Sequence, residues 1–169
     1  MSERTSLSIP LRLRYATVIL EWRAHMRLTQ AQFAKQIGMR RQYLWTLENG
    51  ASYTLGTLEV ILTQIRGQGC EPALSVQVGR RVREVRKSKG LSQESLAEHC
   101  GVSSLYISKI ERGTANATLD LLDVLVTALG VSGEFVIEGL EGADLDSRLR
   151  AVEESHLKFQ NGRAKESDQ

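Results

Sequence analysis

Two runs of side chains in this 169-residue chain have the types and spacing for recognition by hydrogen bonding. In the first, Arg40, Arg41, Gln42 and Tyr43 follow one another, with Trp45, Thr46 and Asn49 within the next two helical turns. In the second, Ser103, Ser104, Leu105 and Tyr106 stand at the corresponding places, with Lys109 and Arg112 behind them. A guanidinium fork or a carboxamide can grip a planar edge that offers two hydrogen-bonding atoms, whereas serine and leucine discriminate less. Catalysis has no comparable footing, for the chain carries no paired carboxylates, Ser/His/Asp set or phosphate loop. Cys70 and Cys100 form no C-x-x-C spacing, and His25, His99 and His156 are scattered. No enzyme activity, metal or cofactor is therefore expected. Cys100 stands where the first run has Ile37 and reads as a small core residue.

The two runs belong to one module written twice. Residues 28–50 and 91–113 align without a gap at an offset of 63, with identities at Leu28/Leu91, Gln30/Gln93, Ala34/Ala97, Gly38/Gly101, Tyr43/Tyr106, Glu48/Glu111 and Gly50/Gly113. Such repetition determines the reading of the whole fold. Pro10 suits the first position of a helix running to about Met26, with Val18, Ile19, Trp22 and Met26 inward. Its counterpart spans about residues 75–88, with Val78, Val82 and Val85 inward. Thr29 and Ser92 read as N-caps of a short second helix that Gly38 and Gly101 end in a tight turn. A third helix runs from Arg40 or Ser103 to Asn49 or Arg112, where Gly50 and Gly113 stop it. The repeat resumes at an offset of 64, where Thr54 and Thr118 cap a fourth helix with one apolar stripe.

Beyond each fourth helix the residues favour extended backbone. Residues 67–76 parallel residues 130–139, Phe135, Val136 and Ile137 are strand formers, and Pro72 suits a sheet edge. These segments can pair with each other or with a second chain, or serve as linkers. From Asp144, Leu145, Leu149, Val152, His156 and Phe159 recur at spacings of four and three, a seam of barely two heptads that can hold a second copy or a partner protein, or fold back on its own chain. The expected division is 10–66, a first module; 67–75, a linker; 76–137, a second module; and 138–169, a C-terminal helix with a polar, disordered tail.

Charge is uneven. Net charge is +5 over residues 1–66, zero over 67–137 and −3 over 138–169. The basic first module favours phosphate contact through counterion release. No segment has the roughly 20 apolar residues of a membrane span, and no signal peptide is apparent, so a cytoplasmic protein without membrane contact is expected.

Two short helices joined by a glycine turn, the second opening on small or polar residues, make a helix-turn-helix. The second module resembles the phage-repressor and Cro type, or XRE, family over residues 78–131. The resemblance rests on Arg86, Gly90-Leu91-Ser92-Gln93, Leu96-Ala97, Gly101, Ile107, Ile110-Glu111-Arg112-Gly113 and Leu129-Gly130. Residues 15–66 resemble it more loosely. The fold implied is all-α: two tandem lambda-repressor-like domains of four to five helices, with short extended segments and a C-terminal helix.

The partner implied is double-stranded operator DNA. Gln30 and Gln93 would bond a phosphate and brace the reading helix. Arg41, Gln42, Ser104 and Leu105 fall where the family reads bases, with Thr46 and Lys109 one turn further on. Arginine suits guanine and glutamine suits adenine, at about 1–3 kcal/mol of discrimination each. Tyr43 and Tyr106 can reach phosphate or simply pack, and Trp45 can meet a thymine methyl or a sugar, or pack against another module. The family pairs Arg23 with Glu48 and Arg86 with Glu111. The first module departs from the pattern at Arg27, Arg66 and Gly56, where a turn glycine, a helix-ending glycine and a stronger helix former are usual. The function implied is a repressor-type transcription regulator of bacterial or phage origin. The alternative is an antitoxin that holds a partner protein and represses its own operon.

Overall fold

The computed structural model describes residues 9–67 and 72–137. They form α1 (Leu11–His25), α2 (Gln30–Gln36), α3 (Arg41–Glu48), α4 (Leu55–Arg66), α5 (Leu74–Ser88), α6 (Gln93–Cys100), α7 (Ser104–Glu111), α8 (Leu119–Ala128) and α9 (Gly133–Ile137). The boundaries of α1 and α3 recur in α5 and α7 after a shift of 63, so the repeat in sequence is also a repeat of elements. None of the helices is long and apolar enough to cross a membrane.

Local chemistry sets most of the helix ends. Thr29 and Gln32 form a reciprocal capping box at α2, and the Ser92 and Ser103 hydroxyls accept from backbone N–H groups at the starts of α6 and α7. Thr54 and Thr118 cap α4 and α8 in the same way. A left-handed residue is needed after α1 and α5, where the chain reverses into the next cap. Gly90 supplies it at φ 67°, but the first copy must place Arg27 there at φ 53°. The helix-ending glycine expected and missed at Arg66 is present one residue later. Gly67, at φ 73°, donates its N–H to the Thr63 carbonyl.

Burial corrects the first helix. The inward residues are Leu11, Tyr15, Ala16 and Ile19; Val18 and Trp22 are only half-buried, and Met26 is 49% exposed beyond the last turn. Leu74, Val78, Gly79 and Val82 take the matching positions in α5, and Val85, buried as well, stands at the place of Trp22.

The extended segments are corrected too. Residues 133–137 are helical, because the Ser132 hydroxyl and carbonyl both accept from the Phe135 N–H, and because Val136 and Ile137 are wholly buried where α9 meets α5 and α8. Packing overrides their strand preference. Pro72 precedes α5 and lies in no strand. The expected C-terminal helix and tail lie outside the described residues.

The two halves are packed together and not strung along an extended connector. Thr54 and Thr118 face each other as an isolated antiparallel bridge. Leu55 N–H donates to Ala117 O and Leu119 N–H to Tyr53 O, both at 2.9 Å. At an offset of 64 these two bonds interchange, so the junction has a local twofold character. The helix contacts follow suit: α1 packs on α8 and α5 on α4. One buried core runs through both halves, from Leu11 and Phe33 to Leu125 and Ile137.

Arg27 marks the conformational weak point of this fold. A side chain at φ 53° is disfavoured by about 1–2 kcal/mol, part of which returns through the unfolded-chain entropy of glycine. Arg27→Gly is therefore expected to raise stability by about 0.5–1 kcal/mol, and Gly90→Ala to lower it by a similar amount. Nothing lies within 4 Å of a Cβ built at Gly90, so backbone strain alone is read there. Urea unfolding midpoints that move in neither variant would contradict the argument.

Candidate nucleic-acid interface

The third helix of each half, α3 or α7, is anchored from behind by a buried carboxylate. Glu48 in α3 and Glu111 in α7 are both 6% exposed. Arg23 reaches Glu48 through Nε at 2.6 Å and Nη2 at 3.2 Å, and its Nη1 donates to the Leu28 carbonyl at 3.1 Å. Gln30 Nε2 donates to the second oxygen of Glu48 at 2.6 Å. The second half repeats every bond. Arg86 holds Glu111 with Nε and Nη2 and donates Nη1 to the Leu91 carbonyl, while Gln93 Nε2 lies 2.7 Å from Glu111 Oε2. Each glutamine thus gives one of its two amide N–H donors to the carboxylate, which braces the third helix.

Burial pushes the Glu111 carboxyl upward. The hydrogen bonds from Arg86 and Gln93 and the charges of Arg86 and Arg83 outweigh that, leaving it below the usual carboxylate range. The bond to Glu111 raises the Arg86 guanidinium against the opposing effect of its own burial.

In front of this anchor the helices present unlike faces. Arg40, Arg41, Gln42, Tyr43, Trp45 and Asn49 are exposed on the first half, with Thr46 half-buried. Among the described residues, Arg40, Arg41 and Gln42 engage no partner through their side chains. Thr46 Oγ1 and Asn49 Nδ2 instead donate to the Tyr43 and Trp45 carbonyls at 2.7 Å. On the second half Ser103, Ser104, Leu105, Lys109 and Arg112 are exposed and Tyr106 is half-buried. Arg112 Nε donates to the Ser108 carbonyl at 3.2 Å, and the Ser103 hydroxyl accepts from Tyr106 N–H. Thr29 and Ser92 are exposed beside these faces but committed as caps. The outer face of α3 thus offers uncommitted hydrogen-bonding side chains at Arg40, Arg41 and Gln42.

Four residues that no motif reading singled out, Arg12, Asn116, Asp120 and Asp123, tie the two halves together. Arg12 Nη1 donates to the Gly50 carbonyl at 2.6 Å, just past α3, while its Nε pairs with Asp120 of α8 at 3.0 Å. Asp123 accepts from Leu11 N–H at the start of α1, and Asn116 Oδ1 accepts from Gly56 N–H at 2.9 Å. Burial raises the Asp123 carboxyl, and the neighbouring Asp120 adds to this against the Leu11 N–H bond and the Arg12 charge. Tyr53 is buried beside the bridge, where desolvation and the nearby Tyr43 keep its phenol protonated. The offset of 64 gives the one sequence signal for Tyr53, Asn116, Asp120 and Asp123, because it places them near the paired threonines; Arg12 has none.

Comparison with known proteins places residues 82–136 within the helix-turn-helix family. The control protein C.BamHI of Bacillus amyloliquefaciens is 44% identical over 61 residues, 36% of this chain and 75% of that protein. The regulator SinR of Bacillus subtilis is 33% identical over 73 residues, 43% of this chain and 66% of its own length. Among solved structures, the restriction-modification controller protein C.AhdI from Aeromonas hydrophila is 40% identical, with a TM-score of 0.36, covering 37% of this chain and 94% of the other.

The buried carboxylate yields a test with a defined sign. Glu111→Ala leaves Arg86 without its counter-charge and is expected to cost about 3–5 kcal/mol. Because the folded carboxyl lies below its ordinary value of 4.5, its contribution is present above that value and lost as pH falls through the folded one. The stability gap between the native chain and Glu111→Gln should therefore narrow on acidification below about pH 4.5. Thermal melts that keep a constant gap from neutral pH downward would sink this assignment.

Proposed function

Because the chain belongs to the helix-turn-helix family, we propose that it is a sequence-specific double-stranded DNA-binding transcription regulator, acting as a repressor, in which both halves read the major groove. The twofold junction is the observation that carries this reading. It holds two helix-turn-helix units in one chain as a dimer would hold two subunits, with α3 and α7 as two chemically different recognition helices. Half-sites one turn of duplex apart lie about 34 Å from centre to centre, and unlike helices call for unlike half-sites. Arg41 and Gln42 supply most of the base discrimination. Lys109, Arg112 and Arg40 contribute phosphate attraction, which is sequence-independent.

The junction itself favours pairing within one chain. Arg12 of the first half meets Asp120 of the second, while the repeat equivalents of these residues are Ser75 and Gly56. A Cβ at Gly56 would come within 3.2 Å of the Asn116 side chain, which occupies that space. Tyr53 is matched in the other half by Ala117. Two first halves together would bring two tyrosines and no aspartate, and two second halves neither tyrosine nor arginine. Each half is built to fit the other.

The shared core means that cutting the chain between α4 and α5 would expose apolar surface, so the test keeps the whole chain and alters one reading helix at a time. Footprinting on DNA flanking the gene is expected to give a non-palindromic site protected by one chain. At fixed salt, Arg41→Ala with Gln42→Ala should relax specificity and spare binding to random duplex, whereas Lys109→Ala with Arg112→Ala should weaken both about equally. Equal losses on specific and random DNA for both double variants would refute the division of labour. Protection of a symmetric site by two chains would refute the one-chain arrangement.

A further inference from the structure

Trp45 lies outside the core that holds the fold. Its indole is 53% exposed on α3 and stands outside the buried core and the residues packed on it, unlike Trp22, whose ring lies 5.0 Å from that of Phe33. Among the described residues it stacks on no other aromatic ring. It instead lines a cleft of about 370 Å³ whose other walls are Gln30, Arg41 and Gln42. The Gln30 wall is fixed, because its amide is bonded to the buried Glu48. The equivalent residues in the other half are Gln93, Ser104, Leu105 and Ser108, which provide neither an aromatic wall nor a guanidinium.

The helix geometry says what such a cleft would take. Trp45 follows Gln42 by three residues and Arg41 by four, so all three share one face of α3. Arginine and glutamine on that face suit purine edges, and every adenine edge in the major groove is paired with a thymine carrying a C5 methyl. An indole beside those forks offers the flat apolar surface that such a methyl lacks in water. The sugar alternative fits less well, since the cleft opens between the two base-reading side chains.

We propose that Trp45 is a specificity-determining residue for a pyrimidine C5 methyl, that of thymine, in the half-site read by α3. This rests on the regulator reading above. It assigns the stringent half-site to the first half of the chain and leaves the second, with Ser104 and Leu105, the more tolerant one.

The test uses the full chain and a duplex selected by it from a random library, with each thymine of the α3 half-site replaced in turn by deoxyuridine, which removes only the methyl. At one position the native chain is expected to lose about four-fold in affinity, as burial of one methyl at roughly 0.8 kcal/mol implies. Trp45→Ser, which copies Ser108, should bind the thymine duplex about four-fold more weakly and show no further loss with deoxyuridine, while Trp45→Phe should keep part of the sensitivity. Placing 5-methylcytosine against guanine at that position tests the other source of the same methyl; a preference for it over thymine would overturn the assignment to thymine. A native chain indifferent to deoxyuridine throughout, or a Trp45→Ser variant that loses equally on random DNA or melts lower, would overturn the role of Trp45 while leaving the regulator reading intact. Failure of the native chain to select any duplex would overturn both.

Discussion

A carboxylate placed where water cannot reach it governs how this chain arranges its helices. Left alone it would carry a penalty of several kcal/mol, so its partners must arrive in fixed geometry. In each half they come from different elements: the guanidinium from the first helix, the amide from the second, and the acid itself from the third. The same guanidinium also holds the carbonyl of Leu28 or Leu91 in the loop before the second helix. Three helices and a turn are thereby brought into one relation, and the outer face of the third can be given over to free side chains. Leu44 and Leu47, or Ile107 and Ile110, complete the anchoring from the apolar side.

The junction between halves applies a different constraint. Backbone bonds around Thr54 and Thr118 obey the local twofold, whereas the side chains around them break it: Arg12 against Asp120, Asp123 at the start of α1, Asn116 beside Gly56. Backbone symmetry fixes the pose, and side-chain asymmetry selects the partner. Arg12 links the two levels, since one guanidinium touches both the carbonyl that follows α3 and the far half's α8.

Much of this was legible in the residues because it is local or repeated. Thr29, Ser92, Thr54 and Thr118 signal their caps, and Arg27 stands out by occupying the place of Gly90. The register of α1 was misjudged by its own apolar pattern, yet the offset of 63 maps Val78, Val82 and Val85 onto Tyr15, Ile19 and Trp22, which gives the correct face or its edge. The α9 turn was not legible, since Phe135, Val136 and Ile137 prefer strands and only the cover of α5 and α8 makes them helical. Direct packing of the halves was equally hidden. No single residue announces it, and the side chains that carry it differ between the copies.

The junction also alters how a regulator of this kind responds to its own abundance. Two separate subunits must first find each other, so the competent form thins out with the square of their concentration as copies become scarce. Here α4 leads into α5 along the same chain, and the partner of each half is always present. In the proposed role, operator occupancy would follow the first power of the number of chains per cell. The protein would act without a threshold, from its first copies, and would give up the steep switching that assembly from separate subunits provides.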